Sequence, residues 1–228
     1  MQRKTVTILI LILIPLILFA GAFYKINFGI TSTLVIILSM VPFFMLFENK
    51  KPKARNIVPI AVMAAIAVAS RLAFAFLPQF KPIIAVVIIT AVVFGSESGF
   101  LCGSISMLVS NFFFGQGPYT PWQMFCCGII GFAAGVLSKK GLLKNRSLLS
   151  LFGFCAGFVF GAVVDIFTVI AFTPQINLQT IVGIYLAGFW FNITLSIATA
   201  LFLYIAGLPM IQMLKRIKDK YNINTNSG

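Results

Sequence analysis

Long, uninterrupted apolar runs restrict this chain to a narrow range of folds. The first covers residues 5–22 and the second lies at about 29–47. Six more follow, at about 57–77, 82–95, 98–114, 122–138, 148–172 and 180–208. A helix needs about 20 apolar residues to cross a bilayer, whereas the strands of a membrane β-barrel alternate apolar and polar residues. The runs do not alternate, so the sequence predicts an all-α polytopic membrane protein.

The hydrophilic stretch Glu48–Arg55 divides the chain into two parts. We expect residues 1–55 to hold two N-terminal transmembrane helices and a basic linker, and residues 56–228 to form a six-helix membrane domain. Ala20-Gly21-Ala22 resembles a signal-peptidase site, so the first run is either a cleaved signal peptide or a retained helix. We favour a retained helix because signal peptides usually precede an exported domain, and none follows.

Basic residues are concentrated at a few places along the chain, which has 17 Lys and Arg residues against 4 Asp and Glu. If eight helices cross the membrane, the clusters at 3–4, 50–55, 139–146 and 215–220 all fall on one side. Cytoplasmic loops are enriched in Lys and Arg. The asymmetry therefore predicts that both termini are cytoplasmic and that segment 115–123 lies outside. Because the asymmetry accounts for the excess of basic residues, we expect no nucleic acid as a partner.

Several chemistries are missing from the sequence. It contains no His, which removes His-based catalytic triads and most zinc sites. It has no G-x-x-x-x-G-K-[ST] motif for ATP hydrolysis and no acidic cluster for a metal. The four Cys residues suit buried packing positions. We therefore expect no enzyme activity, no metal and no cofactor, and we expect a partner to supply energy for any solute movement.

The segment Asn111–Gln123 combines aromatic rings with amide and hydroxyl groups between two apolar runs. Its sequence is N-F-F-F-G-Q-G-P-Y-T-P-W-Q, and its Gly and Pro residues predict that no helix continues through it. Two interpretations stay open: an aromatic belt at the membrane surface, or a pocket for an organic solute. The run 82–95 is too short to span a bilayer untilted, which favours a cavity open to the outside.

Two charges lie within the predicted core helices. Arg71 lies six residues before the end of run 57–77, and Asp165 lies seven before the end of run 148–172. At 1.5 Å per residue both lie roughly 10 Å below the outer surface, where a charge is costly unless paired or hydrated. They form either a structural ion pair or part of a ligand site, and we predict that they are interacting neighbours.

Small residues recur every four positions on three of the predicted helices. Such faces let helices approach closely in lipid. We expect two glycine faces to pack within the chain: Gly131 with Gly135, and Gly153 with Gly157 and Gly161. The third face lies on the first core helix and consists of Ala61, Ala65 and Ala69.

Taken together, these features resemble the substrate-binding S component of energy-coupling factor (ECF) transporters. The resemblance covers about Ile57 to Lys220, with six core helices, a polar outer segment and the alanine face. The stretches A-V-M-A-A-I-A-V-A-S-R, L-P-Q-F-K-P and F-F-F-G-Q-G-P-Y-T-P-W-Q-M-F are similar to the subgroup associated with cobalamin uptake. The two N-terminal helices are additional to the six-helix core of the family.

The resemblance implies a transport subunit in the bacterial cell membrane, surrounded by lipid. An S component captures a vitamin from outside, docks on a transmembrane coupling subunit bound to two ATPases, and releases the vitamin inside. For this chain it implies cobalamin as the solute and contact of Ala61, Ala65 and Ala69 with the coupling subunit. The alternatives are another vitamin or a queuosine precursor, a membrane scaffold without a solute, and an intramembrane enzyme that uses Asp165.

The resemblance also indicates which residues contact the solute. In the family, the outer segments after the first and third core helices gate the pocket, and these match Pro78–Lys81 and Asn111–Gln123. With the two intramembrane charges and two polar or aromatic residues of the last helix, the expected contacts are Arg71, Gln79, Phe80, Lys81, Asn111, Phe114, Gln116, Tyr119, Thr120, Trp122, Gln123, Asp165, Trp190 and Asn192.

Overall fold

The computed structural model is a bundle of helices, and it describes residues 2–24, 26–27, 30–31, 33–35, 37–38, 54–173 and 177–221. Within these residues the helices are α1 (Gln2–Phe23), α2 (Ala54–Ala73), α3 (Ile83–Phe94), α4 (Ser96–Phe114), α5 (Thr120–Lys139), α6 (Arg146–Phe172), α7 (Leu178–Phe202) and α8 (Leu208–Lys220). A π-helical segment, Leu203–Gly207, joins α7 to α8. The predicted all-α class is confirmed.

Four helical segments in the described part of the chain are long and apolar enough to cross a membrane: Thr5–Phe23, Thr120–Lys139, Arg146–Phe172 and the continuous Leu178–Lys220. α3 is different, because it has only 12 residues and all of them except Val92 are buried. It contacts α2, α4, α5, α6, α7 and α8. A helix enclosed by other helices need not match the bilayer thickness, so the short run at 82–95 forms the centre of the bundle.

Glycines allow neighbouring helices to approach closely at two crossings. A Cβ atom built on Gly131 of α5 would lie 2.6 Å from the carbonyl carbon of Gly99 in α4. One built on Gly157 of α6 would lie 2.6 Å from the Cα atom of Ser196 in α7. A larger residue at either position would push the helices apart. The glycine faces therefore pack within the chain, as the sequence predicts.

Two helix boundaries near proline residues differ from the sequence prediction. α2 ends at Ala73 rather than near residue 77, and turns lead to Pro78, because the position before a proline disfavours the α conformation. α5 begins at Thr120, so Pro121 lies in its first turn, where a missing N–H costs no hydrogen bond. The helix-free segment is thus only residues 115–119, and it starts at Gly115, which has a φ of 101°.

The N-terminal part is described only in pieces beyond α1. α1 packs against α5 and α6, so it contacts the predicted six-helix domain directly. Of the second helix expected at 29–47, the described residues at 30–31, 33–35 and 37–38 are helical, and the others lie outside the described residues. Most of the linker Glu48–Arg55 lies outside them as well.

Candidate solute-binding site

A cavity of about 220 Å³ lies inside the bundle formed by α2 to α7. The residues of its wall that were expected from the sequence are Arg71, Gln79, Lys81, Gln123, Asp165 and Asn192. The remaining lining residues are Ile83, Ile84, Met107, Phe160, Gly161, Val164, Gly188, Phe191 and Leu195. Polar and charged groups therefore form a large part of the wall beside the apolar side chains, which suits an organic ligand that carries several polar atoms.

Two cations share one aromatic ring at this cavity. The Cζ atom of Arg71, in the last turn of α2, lies 4.5 Å from the ring centroid of Phe114. The Nζ atom of Lys81, just before α3, lies 4.3 Å from the same centroid. Cation–π attraction holds both groups in place. Burial and, secondarily, the charge of Arg71 lower the pKa of Lys81 below its ordinary value. This part of the wall suits an electron-rich group of a ligand.

Asp165 of α6 lies in another part of the wall, where its carboxylate accepts a 2.8 Å hydrogen bond from the side-chain amide of Asn192 in α7. Two glycines make room for this pair. A Cβ atom on Gly188 would lie 2.9 Å from an oxygen of Asp165, and one on Gly161 would collide with the Asn192 side chain. The Asp165 carboxylate therefore lines the cavity while a neutral side chain, that of Asn192, holds it in position.

Arg71 and Asp165 line the same cavity but do not form the direct pair that was predicted. Arg71 donates to the hydroxyl of Ser110 and, at 2.7 Å, to the side-chain oxygen of Asn111. Asp165 is hydrogen-bonded to Asn192. The helix end at Ala73 also leaves Arg71 only two residues from the end of α2 rather than six. Each charge thus has neutral partners, which leaves both available to a ligand placed in the cavity.

Asn111, at the end of α4, connects Arg71 to the first turn of α5. Its side-chain amide donates to Gln123 Oε1 at 2.8 Å and to Thr120 Oγ1 at 3.1 Å, while its oxygen accepts from Arg71. The side chain is buried, with 1% exposed. Since Gln123 lines the cavity and Asn111 does not, Asn111 positions two wall residues rather than forming the wall.

The other polar residues of the expected loop site hold the loop itself together. The hydroxyl of Thr120 accepts from the backbone N–H of Gly117 and donates to Gln116 Oε1 at 3.0 Å. The amide of Gln116 donates to the Leu108 carbonyl at 2.9 Å, and the Tyr119 hydroxyl donates to the Gly115 carbonyl at 2.8 Å. These groups stabilise segment 115–119, and none of their side chains lines the cavity.

Three aromatic residues expected at the solute lie elsewhere. Trp190 is 74% exposed on the surface of α7. Phe80 packs with Phe202, with ring centroids 6.2 Å apart. Trp122 is only 5% exposed, and its ring contacts Phe19 of α1 and Phe167 of α6 instead of the cavity.

Sequence reasoning missed most of the apolar wall and the hydroxyl of Ser110. Residues such as Ile83, Met107 and Phe160 carry no distinguishing signal in a chain that is 60% hydrophobic. Gly161 differs, because it lies four residues before the intramembrane Asp165 and therefore on the same face of the same helix. The sequence identified Gly161 only as part of a packing face.

The alanine face of α2 lies on the surface of the bundle. Ala61, Ala65 and Ala69 are all exposed. They border an apolar groove of about 470 Å³, whose other wall comes from α4 and includes Leu101, Ile105, Val109 and Phe113. The face therefore does not pack against another helix among the described residues, in contrast to the glycine faces.

Comparison with known proteins gives a family match. No solved structure matches the chain. A family model described as "ECF-type riboflavin transporter, S component" matches residues 51–216, which leaves α1 outside the match. S components act in transport together with a coupling subunit and ATPases. The description names riboflavin, so the family resemblance is confirmed and the cobalamin subgroup is not. Since residues 51–216 are well over half of the 228 residues, this chain belongs to the ECF-type riboflavin transporter S component family.

Proposed function

We propose that this chain captures a vitamin in the cavity bounded by Arg71, Lys81 and Asp165, and passes it on when docked to a coupling subunit with two ATPases. The cavity itself is the observation that carries the proposal. It brings two cations, one carboxylate and several amides together with apolar side chains, inside a membrane bundle. Buried charges are costly in such a bundle and mark functional positions by default.

Riboflavin is the solute that we favour. The family description names it, and a cavity of about 220 Å³, below the usual ~300–1,000 Å³ of ligand pockets, favours the smaller of the two candidate vitamins. Amide groups of Gln79, Gln123 and Asn192 suit a ring system with several hydrogen-bonding atoms.

Cobalamin is the second candidate, supported by the run G-Q-G-P-Y-T-P-W-Q at residues 115–123. Its corrin macrocycle is much larger than a flavin ring. Binding it would require the segment 74–82 or 115–119 to move away from the cavity. Because that rearrangement has an energetic cost, we rank cobalamin behind riboflavin.

Docking through α2 is the second part of the proposal. The exposed alanine strip and the adjoining groove offer a flat apolar surface to a helix of the coupling subunit. In lipid, apolar character alone does not drive association, so close backbone approach at small residues supplies the contact.

Ligand retention and calorimetry test the solute assignment. We expect mass spectrometry of the detergent-purified chain to find riboflavin, and we expect calorimetry to give tighter binding of riboflavin than of cobalamin. Exclusive binding of cobalamin would overturn the riboflavin assignment but leave the proposal of vitamin capture intact. A chain that retains no small molecule and binds neither vitamin would contradict capture. Co-purification of other membrane proteins without ATPases would then favour a scaffold.

A further inference from the structure

The helix α1 lies outside the matched family region, yet it contacts the part of the chain that shapes the site. The rings of Phe19 in α1 and Trp122 in α5 meet edge to face, with centroids 5.1 Å apart and an interplanar angle of 78°. On its other side, Trp122 packs against Phe167 of α6 at 5.9 Å. The buried Trp122 ring is therefore held between α1 and the six-helix core.

The space beside this contact is small. A crevice of only about 20 Å³ remains between α1 and the start of α5, lined among others by Leu18, Gly21, Pro118 and Trp122. Pro118 belongs to segment 115–119, so α1 borders both that segment and the first turn of α5. Buried aromatic packing of this kind restricts the movement of a helix end more than lipid contact would.

Trp122 and Gln123 are consecutive, but they face opposite ways. Trp122 points to α1 and Phe167, whereas Gln123 lines the cavity and accepts from Asn111. A shift of the first turn of α5 that loosened Trp122 would also move Gln123. The position of a wall residue thus depends on a helix that is not part of the six-helix core.

We propose that α1 is a positioning element of the solute site, and that Phe19, acting through Trp122, holds Gln123 in the cavity and slows release of the bound solute. This role rests on the proposed capture of a vitamin. It assigns α1 a function as a retained helix, since a cleaved signal peptide could not act on the site. Phe19 does not line the cavity, so it is a positioning residue.

The test uses the full chain and the two tryptophans. In a Trp190→Phe background, Trp122 is the only tryptophan left of the 2 in the chain. We expect Phe19→Ala to make Trp122 more accessible to acrylamide quenching. We also expect riboflavin, or cobalamin if the parent chain binds that vitamin, to dissociate about two- to tenfold faster, the range expected for loss of one aromatic pair.

Two further variants separate positioning from general loss of stability. Leu16→Ala, at an exposed position of the same helix, should leave both quenching and release unchanged. Phe19→Tyr keeps the ring contact, so its quenching and its rate of vitamin release should match those of the parent chain. Thermal unfolding should show that all variants are folded at the temperature of measurement.

Each possible result bears on the proposal. Unchanged release from Phe19→Ala, with tight binding by the parent chain, would overturn the role of α1 and leave vitamin capture intact. An intact mass lacking residues 1–22 would overturn it as well. If the parent chain bound neither vitamin, the proposed function would fail, and the role of α1 with it.

Discussion

At the scale of single residues, Asn111 connects Arg71 on one side of the cavity to Gln123 on another. Its side chain makes three hydrogen bonds, with Arg71, Thr120 and Gln123, and is almost fully buried. A buried amide that loses its partners costs about 1–3 kcal/mol. The arrangement therefore keeps Arg71 and Gln123 in fixed positions before a ligand arrives, which reduces the ordering cost of binding.

Gln123 should matter more for vitamin binding than Trp190, although the sequence suggested both. Gln123→Ala removes a hydrogen-bonding group from the wall, and we expect affinity to fall about five- to hundred-fold. Trp190→Ala is the matched control, because this exposed ring lies outside the cavity. Calorimetry on the two variants checks this, and equal affinities would refute the assignment of Gln123 to the site.

At the scale of helices, α2 has one face toward the cavity and another on the surface. Arg71 reaches inward from its last turn, while Ala61, Ala65 and Ala69 remain exposed. Positions four apart advance only about 40° around a helix, so the three alanines form one flat strip. A single helix thus joins the proposed solute site to the proposed docking surface.

Enlarging the strip should separate binding from transport. We expect Ala65→Trp to abolish co-purification with the coupling subunit and ATP-driven uptake, while riboflavin binding to the isolated chain persists. Val62→Trp is the control, because Val62 is exposed on α2 but does not line the groove. Binding and complex formation are measured on one preparation. Loss of both, or retention of both, would argue against a docking face.

At the scale of the whole molecule, two basic clusters lie at the same end of the bundle. The Lys218 ammonium donates to the carbonyl of Val93 at the end of α3. The end of α5, which leads to the cluster at 139–146, lies beside the start of α4, where a Cβ atom on Gly135 would come within 2.5 Å of Ser96 Cα. The two clusters give the bundle one basic end, which we expect from the positive-inside rule to face the cytoplasm.

Cysteine labelling in intact cells tests this orientation. In a Cys155→Ala background, the cysteines left in the described residues are buried. We expect Pro118→Cys to react with a membrane-impermeant maleimide from outside, and Asn145→Cys to react only after the cells are permeabilised. Both positions are exposed, so access depends on sidedness alone. The reverse pattern of labelling would contradict cytoplasmic termini.

Apolar run length, charge spacing and residue size are enough to predict the helical membrane class, the six core segments and the glycine packing faces, because these are properties of neighbouring positions in the chain. The family was indicated by the resemblance of motifs such as residues 112–125, and the family match then showed it. The predicted end of α2 and start of α5 were misplaced, because apolar runs show which residues avoid water and not where proline ends or begins a helix.

The way the helices pack together sets which candidate residues share a cavity. In the sequence, the adjacent residues Trp122 and Gln123 are equally good candidates for contact with a solute. In the structure, Trp122 packs against α1 and Gln123 lines the cavity. Arg71 and Asp165 were predicted to pair, but Ser110, Asn111 and Asn192 hold them instead. The physical reason is that the direction of a side chain depends on how helices cross, and the crossings depend on contacts between residues far apart in sequence.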